Sequence, residues 1–144
     1  MHDVSLNLKQ ELWSLLEELF PIQRSITGQG YRQSLDVIGK LIPIKTWECP
    51  SGTRCGSWTV PEEWSVREAY IAEPGGRRVL DFAVNALHLC QYSRRFRGEV
   101  SREELLKHIS ISDVAPESIP LDVSFYRDYW GFCATRRQAD ALKA

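Results

Sequence analysis

The stretch CPSGTRCGSWTVPEEW, residues 49–64, places two tryptophans, two prolines and two glycines within sixteen residues. Tryptophan brings a large ring and an N–H that needs a partner, while proline fixes φ and glycine frees it. The stretch therefore reads as a shaped loop leading into a short strand, not as a linker. Trp58 and Trp64 read as core or hairpin-packing residues. Helical periodicity precedes this stretch and short strands with turns follow it, so its reading sets the fold class.

Working toward the N-terminus, residues 7–20 carry Leu8, Leu12, Leu15, Leu16 and Leu19 at steps of three and four, with Lys9, Glu11, Glu17 and Glu18 between them. That spacing predicts a helix with one buried face. Asn7 and Gln10 form a candidate capping pair, and Pro21 ends the run by disfavouring helical geometry at Phe20. Residues 21–30, PIQRSITGQG, read as a loop with two glycines. A second helix is predicted over 31–41, with Tyr31, Leu35, Ile38 and Ile42 as its stripe, and Pro43 closes it. Residues 44–49 read as a strand.

Toward the C-terminus, strands over 67–72 and 77–82 flank Glu73-Pro74-Gly75-Gly76, whose proline and glycines supply the φ values of a tight reversal. A β-hairpin follows from this. Another strand is predicted over 87–92. Ser101 with Glu104 makes a capping box for a short helix, SREELLKHI, and the two prolines of 113–121 mark a loop. The aromatic-dense FYRDYWGFC, residues 125–133, runs from a turn into a strand, and Thr135 with Gln138 caps a final helical stub ending at Ala144. The fold class is mixed α+β: residues 1–49 begin as an α/β domain would, and 50–131 read as a small β-rich unit.

The chain has 144 residues, of which 43% are hydrophobic, enough for a real core. Eighteen basic and nineteen acidic residues give a formal net charge of −1, which removes the footprint of a general nucleic-acid binder. No leader-like segment opens the sequence and no run nears the ~18 apolar residues of a membrane span. No membrane or nucleic-acid partner and a cytoplasmic location are the resulting expectations. Cys49, Cys55, Cys90 and Cys133 lack paired zinc-site spacing and read as reduced thiols, the latter two as core residues.

Chemistry-bearing candidates are sparse. A hydrolytic metal centre needs several converging His and carboxylate groups, and His2, His88 and His108 form no recognisable ligand pair. His108 falls near a helix end, where an imidazolium suits the dipole. His88 sits in the apolar run LHLCQY, as a hydrogen-bonded core histidine or as a pocket residue. Ser25 and Thr27 precede a helix and can cap it or brace a turn. Arg24, the one charged residue in FPIQRSITG, suits either an anion anchor or a structural ion pair. Gly28-Gln29-Gly30 is too short for a phosphate fingerprint. Arg94, Arg95 and Arg97 around Phe96 form a small basic-aromatic patch, most simply solvated loop charges.

Four collinear segments carry a resemblance: LFPIQRSITGQGYRQSL (19–35), PSGTRCGSWTVPEEWSVREAYI (50–71), LDFAVNALHLCQYS (80–93) and FYRDYWGFCATRRQ (125–138). Together they resemble the N-terminal half of a bacterial family classed as zinc aminopeptidases, in which an aminopeptidase-like α/β domain is interrupted early by a domain of unknown function. The resemblance implies that residues 1–49 begin the peptidase-like domain, 50–131 form the inserted β-rich domain and 132–144 return toward the first. It also implies zinc in the parent family, a peptide-like substrate, and genes near those for surface polysaccharides. The family's metal-bearing segments would follow Ala144, so the expectation is a truncated member with no metal ligand or catalytic residue of its own. Arg24, Thr27, His88 and Trp130 are then the substrate-pocket candidates. Its partner would be the missing catalytic half, or a second copy through self-association. The alternative is a non-enzymatic module that binds a protein or a glycan.

Overall fold

Leucine periodicity produces the first element, α1 (His2–Leu19), and the break before Pro21 falls where the sequence puts it. The computed structural model describes residues 2–25, 27–125 and 127–143, with side chains from residue 7 onward. It divides into two compact units, Met1–Ser65 and Val66–Ala144. Helices and two-stranded sheets together make the mixed α and β class.

In the first unit, α1 starts earlier than the predicted cap, because Asn7 Nδ2 donates to Glu11 Oε1 at 2.9 Å within the helix and does not terminate it. Leu15 and Leu19 are half-buried, while Leu8, Leu12, Trp13, Leu16 and Phe20 are exposed. The second helix, α2 (Gln29–Gly39), buries Ser34 and Val37. Its start needs a glycine at 30: a Cβ there would lie 1.8 Å from the Gln23 carbonyl oxygen. The predicted strand over 44–49 is not formed. Those residues are exposed and outside any strand; a strand needs a neighbour for its backbone groups, and among the described residues no strand pairs with this segment. They are tethered instead by Arg32, whose guanidinium donates to Glu48 Oε1 at 2.6 Å and also to Glu63.

Residues 49–64 form a two-residue hairpin, β1 (Arg54–Cys55) with antiparallel β2 (Trp58–Thr59). Gly56 has φ +61 at the first central position, the place where a type II′ reversal requires glycine. Val60 N donates to Thr53 O and Gly52 N to Val60 O, which extends the closure and buries Val60. Trp58 is hairpin-borne yet exposed, and Trp64 is half-buried.

The second unit opens with the predicted hairpin, β3 (Tyr70–Ala72) and β4 (Arg78–Asp81), antiparallel with a register shift after Ile71. Leu80 is its buried anchor. Arg78 lies 3.7 Å over the Tyr70 ring and pairs with Glu68 and Asp81. The run 87–92 is only partly extended. A 3-10 turn, Ala86–His88, comes first, because Asn85 Oδ1 accepts from Leu87 N at 2.9 Å. The chain then makes bridges at Leu89 and Gln91.

Both capping boxes are formed. Ser101 Oγ accepts from Glu104 N at the start of α3 (Arg102–Leu106). Thr135 Oγ1 accepts from Gln138 N, and Thr135 N donates to Gln138 Oε1, at the start of α4 (Arg136–Lys143). Between them β5 (Ile109–Ser110) pairs in parallel with β6 (Phe132–Cys133). Phe132 also bridges Leu89 in the antiparallel sense, so β6 lies between two neighbours. Leu89, Cys90, Trp130, Phe132, Cys133, Ala134 and Ala139 make the core here. Among the described residues no helix is long and apolar enough to cross a membrane.

Candidate functional site

The chemistry-bearing side chains of the second unit gather along residues 129–134. This segment, which contains β6, offers backbone groups to both sides: Cys90 N donates to Gly131 O at 3.0 Å and Arg94 N to Tyr129 O at 2.8 Å, while Phe132 N donates to His108 O at 2.8 Å. Two histidines are held on it. His88 Nδ1 meets Cys133 O at 2.9 Å and His108 Nδ1 meets Trp130 O at 2.6 Å. A carbonyl only accepts, so in each ring Nδ1 carries the proton. His88 is buried, as a hydrogen-bonded core histidine would be.

Trp130, 7% exposed, belongs to a stack of nearly parallel rings. Phe96 lies 4.5 Å from it at 7°, and His108 lies 3.8 Å from it at 9°. Tyr129 stacks on His108 at 5.1 Å. His108 Nε2 is 3.4 Å from Glu104 Oε1, one turn back on α3. Phe96 keeps 45% of its surface open, and Arg95 and Arg97 on either side are exposed. Sequence reasoning flagged the arginines and the aromatic run separately; it had no signal that 96, 108 and 130 converge.

The thiols at this strand are core groups. Burial pushes the Cys133 thiol up to about 12 and raises that of Cys90 as well, so neither supplies a thiolate near neutral pH. Burial also raises the Tyr129 phenol. Hydrogen bonding from Lys107 holds the Glu104 carboxyl below its ordinary value.

Two sequence candidates lie in the first unit. The Arg24 guanidinium donates to the Leu19 carbonyl, capping the C-terminal end of α1 where positive charge complements the dipole. Thr27 Oγ1 donates to Glu62 O at 3.2 Å, and buried Ser25 donates to Thr27 O at 2.7 Å. These contacts brace the loop before α2. None of Arg24, Thr27, His88 and Trp130 lines either of two open surface grooves, one at Leu35, Gly39 and Ile44 and one at Lys9, Trp13 and Ser14. Among the described residues no group of three or more His, Cys, Asp or Glu side chains could hold a metal ion.

Comparison with known proteins adds three findings. Residues 63–144 match the family described as Domain of unknown function (DUF2172). Over 132 residues the chain is 40% identical to a Clostridium acetobutylicum protein named "Putative polysaccharide biosynthesis protein with aminopeptidase-like domain", covering 92% of this chain and 30% of that protein. A crystal structure of a "putative peptidase" from Clostridium acetobutylicum superposes with a TM-score of 0.87 at 39% identity, covering 93% of this chain and 32% of that one. The chain thus spans about a third of the length of these relatives.

Proposed function

The chain belongs to the DUF2172 family, and from that premise we propose that it forms scaffold and substrate-shaping structure of an aminopeptidase-like hydrolase without holding the metal itself. The observation that carries this reading is the 40% identity to a protein named for an aminopeptidase-like domain. In the proposal, residues 1–49 begin the peptidase-like domain, 50–131 are inserted into it and 132–144 return to it. The parent enzyme is a cytoplasmic zinc exopeptidase acting on a peptide-like substrate. Its ligands come from the two thirds of the relatives' length without a counterpart here. Zinc needs three or four converging donors, and the described residues offer no such group. They do not fit the ion, and no chemical step is assigned to them.

The test is direct. Purified residues 1–144, assayed on amino-acid p-nitroanilides with added zinc, should release nothing and should retain no stoichiometric zinc by elemental analysis. Zinc-dependent release of N-terminal amino acids would overturn the reading. A chain extended to the relatives' full length should show the activity.

A second reading, a module that binds a glycan or protein partner, draws on the exposed Phe96 stacked on Trp130 and flanked by Arg95 and Arg97. An exposed ring held flat by a second ring suits stacking against an apolar sugar face. In an oligosaccharide titration followed by NMR, Phe96→Ala should remove the shifts seen with the wild-type chain. Absence of wild-type shifts would retire this reading.

A further inference from the structure

The first unit carries apolar surface that its own fold leaves open. Two separate globules of these sizes would together expose roughly 9,000 Å², and the chain exposes 11022 Å². Part of that surplus is an ordered feature. Leu8, Leu12, Leu16 and Phe20 recur every four residues along α1 and at its end, and each is more than half exposed. Residues at this spacing form one continuous ridge on a helix surface. Trp13, also more than half exposed, stands beside it, and the half-buried Leu15 and Leu19 lie on the flank turned inward. These five exposed side chains present on the order of 600 Å², close to the ~800 Å² that each partner gives to a standard interface.

We infer that this ridge is a self-complementary docking surface, and that a second copy of the chain occupies it in antiparallel fashion. The order of residues carries the choice of occupant. Reversing the ridge about its midpoint sets Leu8 against Phe20 and Leu12 against Leu16 of the second copy, so each leucine meets an apolar partner and the contact closes with two-fold symmetry. Two ridges of four-residue spacing also pack into each other's grooves at about −50°. Lys40 reaches Glu18 of α1 at 3.4 Å, and Leu41 and Ile42 just after it are exposed as well. The inference draws on the exposed ridge alone, and it competes with the rest of a peptidase-like domain for that face, an outcome the experiment separates.

Sedimentation of the 144-residue chain over about 5–200 μM, a range open to an interface of this size, should move from 16.6 kDa toward twice that mass. Leu12→Glu and Leu16→Lys should each shift the midpoint at least about tenfold upward, at unchanged helicity because both side chains point to solvent. The double variant L12E/L16K should restore the dimer, since the antiparallel pairing puts the new carboxylate against the new ammonium. A parallel pairing would set like charges together and give no rescue. A wild-type chain that stays at 16.6 kDa throughout overturns the inference, as does a dimer indifferent to both single changes. Should a single variant lose helicity, the wild-type dilution series decides alone. Capture of the ridge by the remaining two thirds of a relative's chain, without dimer formation, also overturns it.

Discussion

Gly30 shows how much a single missing carbon can matter. Its absent Cβ would overlap the Gln23 carbonyl at 1.8 Å, with Ile22 Cγ2 close behind at 3.3 Å. Backbone cannot yield as a flexible side chain does, so Gly30→Ala should cost about 2–4 kcal/mol. Chemical denaturation followed by helical circular dichroism would measure it, and a change within about 0.5 kcal/mol would show that the 21–30 loop is not held as described. Cysteine reactivity makes a second residue-level test. Cys49 and Cys55 are exposed while Cys90 and Cys133 are buried, with the Cys133 thiol raised to about 12. Ellman's reagent at pH 8 should titrate two thiols in the native chain and all four in denaturant. Fast reaction of a third native thiol would contradict the burial of Cys90 and Cys133.

At the scale of elements, the Arg32 contacts decide where the segment after α2 lies. Hydrogen bonding from Arg32 holds the Glu63 carboxyl below its ordinary value of 4.5, and the same guanidinium reaches Glu48. A lowered folded-state value means stability that is fully present above pH 4.5 and is lost as pH falls through the depressed value. Thermal midpoints between pH 7 and 3 should therefore fall more steeply in the wild-type chain than in Arg32→Gln. Salt should shrink the difference, since these groups are solvent-exposed. Parallel curves for the two chains would remove the tether from the account. Elements specified within a few residues were readable beforehand: the Pro74 and Gly76 reversal, the Ser101 and Glu104 box and the Thr135 and Gln138 box all formed as their local chemistry dictates. The strand over 44–49 did not form, because a strand needs a paired neighbour that the local sequence cannot supply, and among the described residues none pairs with it. The site follows the same rule. The aromatic density of 125–133 is visible in the sequence, whereas the meeting of Phe96, His108 and Trp130 depends on pairings across more than twenty residues.

Across the whole molecule the core is unevenly shared. Among the described residues, Val37 and Val60 are the buried apolar residues of the first unit, against Leu80, Leu89, Cys90, Trp130, Phe132, Cys133, Ala134 and Ala139 in the second. Local stability follows buried apolar contact. Native-state hydrogen exchange should find amides of 66–144 opening at distinctly higher free energy than those of 1–65. Equal protection in both units would show that burial within each unit does not set its stability. The family match, over residues 63–144, takes in the whole of the better-packed unit.

The segment 129–134, which carries β6, has one more consequence, for the order in which the protein is made. Its backbone groups accept from or donate to residues 90, 94, 108 and 110, all of which leave the ribosome before it does. At a synthesis rate of about 5–20 residues per second, the segments from 86 to 110 wait one to several seconds for the partner that joins them. During that interval the β3–β4 hairpin can close by itself, while Leu89, Cys90 and Ile109 have nothing to pack on. The nascent chain is thus most open to misassociation just before residue 129 emerges, and a translational pause placed there would lengthen that exposure.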